Sequence, residues 1–113
     1  MTITPPDTLG LWASASIHGS HLPDAETINR RILAAFRDLA PEDFSLRTHF
    51  FGGRFENLYL EAERIPEVSL VLGHAEACAR AFLNHGDQPL RLGFWFNAQG
   101  PGQDTSAHTH DEN

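Results

Sequence analysis

Residues 89–98, PLRLGFWFNA, place Leu90, Leu92, Phe94 and Phe96 in alternation with Arg91, Gly93, Trp95 and Asn97. Side chains of extended chain point alternately to opposite faces, so this period of two predicts a strand with the leucines and phenylalanines turned to the core. Its other face, mixing a large aromatic with an amide and a guanidinium, is either covered surface or the lining of a pocket. Trp95, Asn97 and Arg91 are its candidate pocket residues. A second alternation, LGLWASASIH over residues 9–18, predicts another strand.

Between these segments the period changes. After Asp24, a plausible N-cap, Ile28, Ile32, Ala35, Phe36 and Leu39 recur at helical spacing until Pro41, which predicts an amphipathic helix. Pro66 and Glu67 open a second helix, with Val68, Val71, Leu72, Ala75, Cys78, Phe82 and Leu83 as its apolar stripe, ended by Asn84-His85-Gly86. Cys78 lies on that stripe, reads as a packing residue, and has no activating neighbour evident in the sequence. In His49 to Leu60 the pair Gly52-Gly53 is turn punctuation, and the expected form is a loop leading into a short strand. The fold class is therefore α+β, two amphipathic helices packed on a small, mostly antiparallel sheet. At 113 residues and 41% hydrophobic content, residues 1–113 make a single domain with a modest core.

Charge and cysteine usage narrow the function classes. A formal net charge of −7 opposes phosphate backbones and anionic lipid, so neither nucleic acid nor a membrane surface is an expected partner. A single cysteine forms no internal disulfide, and the start Met1 to Asp7 has neither a basic region nor a long apolar run. The expected compartment is cytoplasmic.

Chemistry concentrates in residues 99–113, a motif-bearing tail expected to be disordered. Gln99-Gly100-Pro101-Gly102 must turn the chain. Beyond it, His108 and His110 stand at i and i+2, where extended backbone presents both imidazoles to one ion, and Glu112 offers an anionic oxygen on the same side. Asp111 would point to the opposite face. Two histidines are half a site, and His18, His21, His49, His74 and His85 show no spacing that marks one as the third ligand.

Gly102-Gln103 followed by His108 and His110 resembles the motif of prolyl 4-hydroxylase-like, 2-oxoglutarate and Fe(II)-dependent oxygenases. GRFENLYL (Gly53 to Leu60), the helix from Pro66 to Phe82 and GFWFN (Gly93 to Asn97) also look like the lead-in of a bacterial branch of that superfamily. The resemblance implies a double-stranded β-helix (jelly roll), Fe(II) as cofactor, 2-oxoglutarate as co-substrate, and a dioxygenase hydroxylating a small-molecule or protein acceptor. The family's usual set is His-x-Asp/Glu plus a distant His. Here position 110 is His, so the branch either uses His108 and His110, or shifts register to His110 and Glu112 with His108 beside them. Gly102 and His108-Thr109-His110 are also similar to the start of the cupin metal motif, which shares the jelly roll. A third reading is a small non-catalytic α+β binding domain with a metal-scavenging tail.

A jelly roll has eight strands, and the resemblance accounts for only the first one or two. The expectation is an incomplete barrel: the N-terminal portion of an oxygenase domain, truncated and inactive as it stands, with no catalytic residue assignable beyond the metal ligands. In the family, the distal histidine and the basic residue that pairs with 2-oxoglutarate lie downstream. The strand from Leu90 to Ala98 would find partners only in the Trp12 and Phe55 segments, leaving an exposed apolar edge that favours self-association.

Overall fold

The computed structural model describes residues 17–83 and 87–108. Helix α1 spans Ala25–Arg37, and helix α2 spans Glu67–Leu83. Strands β1 (Leu46–Phe51) and β2 (Arg54–Tyr59) form a two-stranded antiparallel sheet between them in the chain. The α+β class holds. Most of the expected strand at 9–18 lies outside the described residues, and its last two members, Ile17 and His18, have no strand pairing.

Helix α1 arises from the predicted stripe. Ile28 is buried, and Ile32, Ala35 and Phe36 pack against the core. Glu26 in the first turn and Arg37 in the last complement the helix dipole. Asp24, however, does not cap it: its φ is 57°, in the left-handed region, and its side chain makes no capping hydrogen bond. An N-cap normally needs extended backbone to turn its side-chain oxygen toward the first N–H groups, which this conformation does not supply. Past α1, Pro41–Asp43 form a single 3-10 turn. Asp43 accepts from the Ala40 N–H at 2.7 Å and from Arg64 at 2.8 Å.

The stretch read as a loop before a strand is a hairpin with strands on both sides. Gly52 and Gly53 have φ of 61° and 83°, the double positive φ of a type I′ turn, whose twist matches that of the strands it joins. The register runs from Leu46↔Tyr59 to Phe51↔Arg54 and skips His49. That residue sits at φ 60°, with its Nδ1 2.8 Å from the Thr48 hydroxyl and 3.1 Å from the Asn57 amide nitrogen. Phe50 packs edge-on to Phe55 across the strands.

The segment with the clearest alternation is not a regular strand. It pairs with β2 through one antiparallel bridge, Leu58↔Phe96, with both hydrogen bonds formed at 2.9 and 2.8 Å. The alternation survives in part: Leu90, Phe94 and Phe96 are half-buried and Arg91, Gly93, Trp95 and Asn97 are exposed, but Leu92, expected on the core face, is 41% exposed. Phe94 and Phe96 pack on the core, Phe96 within 5.1 Å of Phe36. Burying these rings on the helices sets the path here, and the ladder with β2 does not extend beyond the bridge.

The core sits where α2 and the chain leading into it meet α1. Ile65 is fully buried, Leu60 and Val68 nearly so, and Ile32, Phe36, Leu39, Phe44, Leu72, Phe94 and Phe96 close around them. The apolar stripe of α2 is covered only at its start, and Val71, Phe82 and Leu83 are exposed. Among the described residues, no helix is long and apolar enough to cross a membrane.

Candidate metal-bearing segment

Three extended pieces bring the site together. β2 supplies Arg54 and Glu56 from one face, the segment around Phe96 supplies Asn97, and the chain returns through a turn at Gly100–Gln103. The Gln103 N–H donates to the Gly100 carbonyl at 3.2 Å, with Gly102 at φ 77°. Pro101 and Gly102 thus fill the two central places of a type II turn, where proline suits the first and positive φ demands glycine at the second. The Gln103 side chain also accepts from the Gly100 N–H at 2.6 Å. The glycine-proline-glycine punctuation therefore forms the expected turn.

Beyond the turn, residues 104–108 run back alongside β2. Arg54 donates to the Asn97 side-chain oxygen at 2.6 Å and to the Asp104 carbonyl at 3.1 Å. Glu56, at 3% exposure the buried carboxylate of the described core, accepts from both the Ser106 N–H, at 3.0 Å, and the Ser106 hydroxyl. The hydroxyl bond holds the Glu56 carboxyl below the usual glutamate range. Burial pushes it up, while the Ser106 N–H and the charges of Arg54 and His108 reinforce the lowering. A buried carboxylate is tolerable only with such partners.

His108 stands two residues past that clamp. Its Nδ1 lies 3.2 Å from the Ser106 carbonyl oxygen. A carbonyl can only accept, so Nδ1 is the donor in this contact. His110 and Glu112 lie outside the described residues, as does Thr109 between the two histidines. Among the described residues, no three of His, Cys, Asp and Glu converge where they could hold a metal ion.

The weaker pocket candidates are spread apart. Trp95 packs on Tyr59 with ring centroids 6.1 Å apart, Asn97 is engaged by Arg54, and Arg91 is exposed. Sequence reading missed Glu56 and Ser106. The signal was an acid set in the aromatic run Phe55-Glu56-Asn57-Leu58-Tyr59, at a position sharing a face with Leu58, where a solvated carboxylate is not expected. It also missed that Cys78 has a neighbour: one helical turn earlier His74 places Nε2 3.6 Å from the thiol sulfur, and Ser20 reaches the same nitrogen at 3.2 Å.

No protein-family model matches the chain, and no curated protein and no solved structure matches it either.

Proposed function

We propose that the chain carries the first metal-bearing strand of a non-haem Fe(II), 2-oxoglutarate-dependent dioxygenase, built on the opening strands of a double-stranded β-helix. The observation that carries the reading is the hydrogen bond from His108 Nδ1–H to the Ser106 carbonyl. Histidines that bind metals through one ring nitrogen commonly donate the other N–H to a carbonyl or carboxylate, which selects the tautomer and orients the ring. Here the carbonyl belongs to a residue that Glu56 grips by its hydroxyl and its N–H. The donor set fits ferrous iron, since imidazole and carboxylate oxygen are the ligands such centres use. His108 would hold the ion through Nε2, with His110 or Glu112 as the partner. Bound iron, with 2-oxoglutarate as co-substrate, supplies the oxygen-activating chemistry. The chain's own part is to hold the His108 ring in one tautomer and to keep its strand against β2.

The test is anaerobic titration of the protein with Fe(II) in the presence of 2-oxoglutarate, following the weak visible charge-transfer band of the chelated keto acid. A saturable band, abolished in His108→Ala, is the expected result. In Glu56→Gln, which keeps every proposed ligand, the apparent iron affinity should fall by roughly 10- to 100-fold, as for other residues that orient a ligand. Absence of the band, with metal uptake indifferent to His108, overturns the proposal.

A further inference from the structure

A cleft of about 250 Å³ lies between the end of α1, the turn after it and the hairpin. Its walls are apolar, led by Phe36, Leu39, Phe44 and Phe55, and its two charged lining residues are Arg47 and Arg54. No acidic side chain lines it, on a chain whose formal net charge is −7. The four ion pairs formed among the described residues use Arg30, Arg31, Arg64 and Arg80; Arg47 and Arg54 are in none of them, and the charge of Arg54 acts on the Glu56 carboxylate, which does not line the cleft.

Both arginines are held in place. Arg54 is fixed by Asn97 and by the Asp104 carbonyl. Arg47 lies with its guanidinium carbon over the Phe55 ring, 5.1 Å from the centroid, a cation–π contact that holds the charge beside the apolar wall. Guanidinium offers a planar fork of donors that matches a carboxylate, and an apolar wall beside it removes competing water. A pocket that combines apolar lining with a few convergent polar groups is the usual form of a small-molecule site.

From this juxtaposition we propose that the cleft binds a small organic carboxylate with an apolar body, its acid group on Arg47 and its body against the phenylalanines. The cleft shares Arg54 with the attachment of residues 104–108, but carboxylate binding on Arg47 does not depend on the iron reading.

Benzoate is a suitable probe, because benzamide has the same shape without the charge and acetate has the charge without the ring. Each is titrated into the isotopically labelled full chain while backbone amide shifts are followed by NMR. The expected result is saturable benzoate binding with the shifts centred on residues 36–58, at least tenfold tighter than benzamide or acetate. Arg47→Met retains an unbranched stem over Phe55 and should weaken benzoate by about tenfold or more, the size of a lost hydrogen bond to a charged group, while leaving benzamide unchanged. Equal affinity for benzoate and benzamide, shifts centred elsewhere, or no saturable binding overturns the proposal. Loss of the benzoate preference in Arg47→Met, with the unperturbed spectrum of a folded chain, supports it.

Discussion

Glu56 shows how one residue ties local chemistry to the placement of a whole segment. Its carboxylate is buried, yet its pKa is lowered because the hydrogen bonds from Ser106 outweigh desolvation. A group with a depressed folded pKa adds stability above its unfolded pKa, about 4.3 for glutamate, and loses it as pH falls through the lower, folded value. The attachment of residues 104–108 should therefore be complete at neutral pH and released in acid. Hydrogen exchange at the Ser106 N–H, compared with that of an amide inside α2, would register this as lost protection at low pH and, in Glu56→Gln, as lost protection at every pH. Asp24 offers the opposite lesson. Because its backbone is left-handed and its side chain caps nothing, Asp24→Gly should raise stability, by about 1 kcal/mol on the usual penalty for a left-handed residue. A true N-cap would lose a few tenths of a kcal/mol on the same change. Urea denaturation of the two proteins distinguishes the cases by the sign alone.

At the scale of elements, the fold turns on the junction before α2. Leu60, Ile65 and Val68 form the buried cluster, and Ile65 has no exposure at all. Ile65→Ala should remove about 2–5 kcal/mol, combining lost transfer energy with an unfilled cavity. That is a large share of the total for a chain of this size, so the expected readout is a urea midpoint shifted sharply down or the absence of a cooperative transition. The hairpin was half legible. Gly52-Gly53 marked the turn, but the first strand was obscured because His49 breaks its ladder and Arg47 interrupts the apolar pattern. The helices were legible throughout because their stripes repeat over several turns, enough for the period to stand above chance.

On the scale of the whole molecule, apolar surface remains uncovered. Leu46, Phe50 and Phe51 are exposed on β1, which has no partner on its outer side among the described residues. On α2, Leu70, Phe82 and Leu83 are exposed as well. A strand edge bearing large apolar side chains is a template for association. Concentration-dependent sedimentation should show self-association of this chain, and Phe50→Lys, which puts a charge on that edge, should reduce it. Sedimentation as a monomer at all concentrations, unchanged by the substitution, would count against the edge as the contact.

The amino-acid sequence by itself determined the class of fold, the two helices and the turn at Gly100–Gln103, because periodic burial and the φ preferences of proline and glycine act over short distances. It also marked residues 94 and 96 as core by alternation alone. Tertiary structure decided what that alternation was for: Phe94 and Phe96 are drawn onto the helices, and a single bridge to Leu58 replaces the expected ladder. It alone joined Glu56 to Ser106 and Arg54 to Asn97, pairs separated by 50 and 43 positions. No local pattern encodes such a pairing, because a buried carboxylate is stabilised by whichever donor the folded chain brings to it.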